Sequence, residues 1–386
     1  MERLRILFVT HTVVMAGANS SLLRLMLELR ENHQVEPVVL MPQVHPAYAN
    51  RNLQKTCREL HIECHSHRFY WFKEQRNWKS YLKCLSNLLW YPCIWWRMRG
   101  ERYDIVHTNG SVISLGALLS RARHAPHVWH LREFGELGLG LQPLLGRGYE
   151  KWVYRHADLF IAISKSLKEY YADRIPREKI QMIYNGVLPP DEQYVARHEN
   201  AVVQFCMVGL LSSQKNQMEA LQAADILVNR WGVKNFHLSF IGLEDAAYAH
   251  ALRRYMAEKG LADHVTLMGE RNDVSRQLSR MDVGLMLSSF EAFGRVTVEY
   301  MMHNLAVIAS DSGANCEIVE HGRSGFVYHL GDVEELARLM RLLTADRQRM
   351  LEVAGNGRAR AMGAFTSHRN SEQIHQAYLS VLPSVR

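Results

Sequence analysis

Glu291 and Glu299 stand eight positions apart in the stretch SFEAFGRVTVEY, residues 289–300, between an apolar run and a run with helical spacing. The preceding Val283-Gly284-Leu285-Met286-Leu287 reads as a buried strand, and Gly294 marks the turn from which a helix departs. Glu291 is therefore expected in the loop at the strand's carboxyl end, with Glu299 about one turn into the helix. Backbone N–H groups at a helix start, here Phe293, Gly294 and Arg295, attract phosphate oxygens, and carboxylates beside them accept hydrogen bonds from sugar or ribose hydroxyls. The constellation suits a nucleotide sugar, which is rich in hydroxyls and carries an anionic group. Two glutamates at this spacing also fit one solvated face of a helix, and the pair alone leaves both readings open.

The elements needed to hold these residues alternate between short apolar strands and amphipathic helices, twice over. In the first half the predicted strands lie near Ile6–Val9, Val38–Met41, Ile62–His65, Asp104–His107, His127–His130, Leu159–Ile163 and Ile180–Tyr184. After a polar, proline-containing linker from Gly186 to Asn200, a second series runs through Val203–Gly209, Phe236–Phe240 and Val265–Leu267 to the strand before Glu291. Alternation of this kind predicts parallel sheets wrapped on both faces, with ligands at the carboxyl ends of the strands. A chain of 386 residues, 47% hydrophobic and 22% charged, has the length for two such domains and is not disordered.

The flanks of the glutamate pair extend the pattern. Val307-Ile308-Ala309-Ser310-Asp311-Ser312-Gly313 is followed by Glu317-Ile318-Val319, Gly322 and Gly325-Phe326-Val327. This order of strand, glycine turn, Glu-Ile-Val, glycine and apolar strand, behind a Glu-x7-Glu segment, resembles the retaining glycosyltransferases of family 4 (GT4). The resemblance implies a GT-B fold of two Rossmann-like, doubly wound α/β domains facing each other across a cleft. It assigns acceptor binding to residues 1–190, with a closing helix over 366–386 that packs back on them, and nucleotide-sugar binding to residues 200–365. A retaining transfer from a nucleotide sugar, most simply a UDP-sugar, to a glycan or lipid-linked acceptor would follow, with no metal and no cofactor besides the donor.

Further residues take roles from the same resemblance. Lys215 occupies the position of a lysine that contacts the donor diphosphate, a role to which a compact ammonium is suited. The family commonly has an arginine after the preceding glycine, where this chain has Leu210, and Arg295 is expected to supply the charge instead. Gly17, in the loop between the first strand and the helix carrying Leu22, Leu25, Met26 and Leu29, would lie beside donor phosphate and acceptor, with Asn19 or Ser20 as helix cap. The family's second glycine is Ala18 here, and no GxGxxG fingerprint is present. His130 is expected beside the reacting sugar, Glu291 on its hydroxyls and Glu299 on the ribose.

Other segments point elsewhere. Cys57, His61, Cys64, His65 and His67 cluster, but at no common zinc spacing. Arg3, Arg5 and the apolar Ile6–Val9 imitate a signal peptide, which Thr10, His11 and Thr12 interrupt, and the six scattered cysteines suit a reducing compartment; a cytoplasmic protein is expected. Residues 68–99 interleave ten aromatic residues with cations against the single acid Glu74. That composition, with a net charge of +7, predicts a peripheral attachment to an anionic membrane surface, while a helix packed on the sheet with snorkelling cations remains the alternative. Competing functions are a nucleotide-sugar epimerase or phosphorolytic enzyme and a basic nucleic-acid-binding protein. No nucleic-acid motif accompanies the basic segment, so nucleic acid is not an expected partner.

Overall fold

A computed structural model describes residues 3–45, 52–199 and 201–383, and the chain divides into two compact units. The first runs to Gly186 and takes back the chain from Ser367 onward; the second is Val187–Thr366.

The first unit is built on seven parallel strands: β1 (Leu4–Thr10), β2 (Val35–Pro42), β3 (Glu63–His67), β4 (Ile105–Asn109), β5 (His127–Leu131), β6 (Leu159–Ala162) and β7 (Ile180–Met182). Their order in the sheet is β3-β2-β1-β4-β5-β6-β7. The central strands are buried without alternation because both faces are covered. Ile6, Phe8 and Val39 face the helix Gly17–Asn32, through Leu22, Leu25 and Leu29, and the closing helix Ser367–Val381, through Ile374 and Tyr378. Leu7, Val9, Val38 and Leu40 point the other way, onto Ile94, Met98 and Leu115. Polar bonds fasten the closing helix as well: Ser367 Oγ donates to Glu28 at 2.7 Å, and Asn370 Nδ2 to the Tyr184 carbonyl at 2.6 Å.

The second unit repeats the plan with six strands: β8 (Val203–Val208), β9 (Phe236–Ile241), β10 (Val265–Gly269), β11 (Val283–Met286), β12 (Ala306–Ser310) and β13 (Phe326–Tyr328). The order β10-β9-β8-β11-β12-β13 is that of a doubly wound Rossmann-like sheet. In both sheets the winding reverses beside the first strand, between β1 and β4 and between β8 and β11. Gly284 shows how closely helix and strand approach there: a Cβ on it would lie 2.3 Å from the ring of Tyr300, whose hydroxyl accepts the Val208 N–H at 2.6 Å.

Three buried histidines sit in the first sheet, His107 on β4 and His127 and His130 on β5. Burial holds all three below the ordinary histidine range, His127 at about 3. The unfolded chain protonates such groups below about pH 6.5 and the folded chain does not, so their stability is complete above that pH and is lost as the pH falls. At about pH 5 the expected cost is about 2 kcal/mol for His127, and His107 and His130 act in the same direction. Urea midpoints at neutral pH and at about pH 5 check this; equal midpoints would mean that the native rings titrate freely.

Candidate functional site

The loops leaving β8 and β11 border the reversal in the second sheet, where open α/β sheets bind ligands. The loop after β8 carries Lys215, two residues ahead of the helix Gln217–Asp225, and the loop after β11 carries Glu291. The two are joined: Ser289 N–H donates to the Gln214 carbonyl at 3.0 Å, and Lys215 Nζ donates to Glu291 Oε2 at 3.0 Å. The other oxygen of Glu291 accepts the Gly294 N–H at 3.1 Å. Gly294 has φ of +82°, a conformation that favours glycine, and caps the helix Arg295–Met302. From β12, Gly313 presses so near that a Cβ on it would meet the Glu291 carbonyl at 2.0 Å, and Ala314 N–H bonds that carbonyl at 2.9 Å. Glu291 is thus held by three loops.

Glu299 lies one turn along the helix, as expected, and pairs with Arg295 at 3.2 Å. Desolvation pushes its carboxyl above the usual range, and the Arg295 charge opposes this. The guanidinium expected to replace the arginine absent at Leu210 is therefore engaged by Glu299. The Phe293 ring is buried edge-on against Phe365, with centroids 6.0 Å apart, and its part is to anchor the loop. The rim thus sets two cations, two carboxylates and a helix start together, a set that can bind phosphate oxygens and sugar hydroxyls in one ligand.

Apolar residues on the same edge carried no chemical signal in the sequence. Leu210, Leu243 and Phe290, on the loops after β8, β9 and β11, are each about half exposed, and the Leu211 N–H to Leu243 carbonyl bond of 2.8 Å ties the first two loops together.

In the first unit, Gly17 opens its helix, and a Cβ there would meet nothing within 4 Å. The expected cap is corrected: Ala16 stands at the N-cap without a side-chain bond. Asn19 is buried inside the helix, accepting from Thr10 Oγ1 at 2.7 Å and donating to the carbonyls of Thr12 and Val14 at 2.8 and 2.9 Å. A buried amide satisfies more partners by pinning the loop than by capping. His130 is also buried, its Nδ1 3.3 Å from His107 Nε2, and His107 Nδ1 lies 2.8 Å from the Tyr378 hydroxyl. Among the described residues its Nε2 has no hydrogen-bond partner, and Arg132, which no motif marked, is buried behind it on Asn109 Oδ1 at 2.8 Å. Cys57 and Cys64 form a thiol pair in which the hydrogen bond pulls Cys64 down to about 6 and pushes Cys57 up. Among the described residues, no group of three or more His, Cys, Asp or Glu is placed to hold a metal ion.

Residues 68–99 fold chiefly into the helix Trp78–Arg97, and its amphipathicity is inverted. The face toward the unit buries Ser80, Cys84, Asn87 and Ile94, while Trp78, Leu82, Leu85, Leu88, Leu89, Trp95 and Trp96 are exposed, Leu88 and Leu89 by 76% and 75%. Lys79, Lys83, Arg97 and Arg99 flank this stripe, with Arg99 3.9 Å above the Trp96 ring. Among the described residues, no helix is long and apolar enough to cross a membrane.

The two Rossmann-like units define a GT-B fold, and comparison with known proteins agrees. Residues 15–189 match the model of Glycosyltransferase Family 4, and residues 194–360 that of Glycosyl transferases group 1. The chain belongs to the GT4-type glycosyltransferases. It is 24% identical over 311 residues to the Escherichia coli UDP-Gal:alpha-D-GlcNAc-diphosphoundecaprenol alpha-1,3-galactosyltransferase, covering 74% of this chain and 77% of that one. It is 25% identical over 295 residues to the Rhizobium leguminosarum lipopolysaccharide core mannosyltransferase LpcC, covering 69% and 82%. Among solved structures, Anabaena HepE in complex with UDP superposes with a TM-score of 0.79 at 22% identity, over 98% of this chain and all of that one.

Proposed function

We propose that this glycosyltransferase moves a sugar from a UDP-sugar, with retention of anomeric configuration, to a lipid-linked acceptor in surface polysaccharide or lipopolysaccharide assembly. The observation that carries the donor reading is the Lys215–Glu291–Gly294 cluster, with Glu299 one turn further on. Lys215 takes the diphosphate, Glu291 hydroxyls of the transferred sugar and Glu299 the ribose. The exposed apolar side chains of Leu210, Leu243 and Phe290 offer the base a surface. A UDP-linked donor is supported by the galactosyltransferase relative, whose name specifies UDP-Gal, and by the UDP complex of the Anabaena protein.

Retention follows without an enzyme nucleophile. The bond from the anomeric carbon to the diphosphate oxygen breaks, the acceptor hydroxyl adds on the same face, and its proton passes to the departing diphosphate oxygen. Lys215 and the Arg295 helix start stabilise the charge that develops there. The inverted helix Trp78–Arg97 lies in the headgroup zone of an anionic inner membrane face, with its stripe in the lipid and its cations on the phosphates.

Thermal shifts with UDP, GDP and ADP test the donor, since a ligand bound to the native state raises the melting temperature. UDP alone is expected to shift wild type, and the shift should vanish in Glu299→Ala; an equal response to all three would sink the base and ribose assignments. NMR of the product's anomeric proton tests retention, and an inverted product would overturn it.

A further inference from the structure

Beyond the carboxyl ends of β1 and β2 the first unit holds a cavity of about 650 Å³ with a chiefly apolar lining. Its size is that of a ligand pocket. The segment after β1, the segment after β2 and residues 68–74 form its walls, and Lys83 reaches it from the helix Trp78–Arg97. Wall and helix are clamped together. The buried amide of Asn87 accepts the Tyr70 N–H at 2.9 Å and donates to the Tyr70 carbonyl at 3.0 Å. Trp71 Nε1 donates to the His11 carbonyl at 2.8 Å, and the Arg68 guanidinium lies 5.1 Å over the Trp90 ring. The charged groups lining the cavity are Arg68 and Lys83 against Glu74, with His11, His45 and Tyr70 as the further titratable groups. One helix therefore presents an apolar stripe to solvent and a cation to an aromatic-walled cavity.

We propose that this cavity receives the phosphate-bearing head of an amphiphilic acceptor: Arg68 and Lys83 bind the anionic oxygens, Trp71 and Tyr70 contact the adjoining sugar ring, and the hydrocarbon chain leaves along the exposed stripe. This rests on the acceptor reading above and names its chemical class. An apolar wall suits an amphiphile better than free phosphate, and two cations beside one carboxylate favour an anionic head over a neutral one.

The test is calorimetric titration of the full chain with decyl phosphate below its micellar concentration, with decanol and inorganic phosphate as controls. Decyl phosphate is expected to bind wild type at least tenfold more tightly than either control, and to weaken at least tenfold in Arg68→Gln/Lys83→Gln. Both side chains are exposed, so the variant should fold, and its UDP binding should be unchanged. Unchanged decyl phosphate binding in this variant, or binding removed only by Leu88→Glu/Leu89→Glu, would overturn the proposal and leave a non-specific apolar contact. Equal binding of inorganic phosphate would reduce the site to a phosphate site, and equal binding of decanol to a greasy pocket; either result overturns it. Loss of these effects with UDP binding intact refutes the cavity alone, whereas a wild type that binds no UDP refutes the donor reading.

Discussion

Lys215→Ala lowers kcat/KM for the sugar donor by about 10²- to 10³-fold, corresponding to roughly 3 to 4 kcal/mol of lost transition-state stabilisation. The lysine side chain is a third exposed and bonds Glu291, so the fold depends little on it. Its ammonium is already fixed 3.0 Å from a carboxylate that is itself held by three loops. Such a charge needs no reorganisation when negative charge grows on a leaving diphosphate. Lys215→Arg should recover part of the rate, because charge is kept while the single-point geometry is lost. Arg295→Ala should have the smaller effect, since its charge is already offset by the partly buried Glu299 3.2 Å away. Steady-state kinetics with UDP affinity and melting temperature measured alongside provide the check. A rate within about threefold of wild type, with unchanged UDP affinity, would remove Lys215 from the diphosphate site.

The second large effect concerns the inverted helix. Leu88→Glu/Leu89→Glu is expected to reduce cosedimentation with anionic vesicles by a hundredfold or more, on the order of 3 to 5 kcal/mol. Each leucine withdraws about 1.5 to 2 kcal/mol of apolar burial in the headgroup zone, and each added carboxylate meets a negative surface potential. Both side chains are three-quarters exposed, so the fold loses nothing by the exchange. Wild-type binding should fall with salt as Lys79, Lys83, Arg97 and Arg99 are screened, and the remaining salt-resistant part should belong to the stripe. Wild type that ignores anionic vesicles at low salt, or a variant that binds like wild type, would refute membrane docking.

Much of the architecture is legible in the chain because a parallel sheet covered on both faces demands uninterrupted apolar runs, and these stand out against the helical spacing between them. The strands expected at Ile6–Val9, Val38–Met41 and His127–His130 fall within observed strands, and the one expected at Val283–Leu287 overruns the observed Val283–Met286 by one residue. Glu291, Gly294 and Glu299 were legible for a related reason: loop, turn and helix are contiguous, so their relative positions follow from local geometry. Asn19 was misjudged because capping is the usual use of an asparagine near a helix start, whereas here a tight loop offers it two carbonyls and a hydroxyl. The aromatic and basic composition of residues 68–99 was visible, but composition does not say which face of a helix points outward.

The sequence by itself determined the fold class, the two-fold repetition of the αβ series and the residue types of the rim around Glu291, because these depend on short-range patterns of burial and turn chemistry. Tertiary structure decided the pairings: Lys215 with Glu291 across 76 positions, His130 with His107 in the interior, and the apolar face of Trp78–Arg97 turned to solvent. Distances between side chains on separate loops are set by the sheet order that brings those loops together, and no local pattern encodes them.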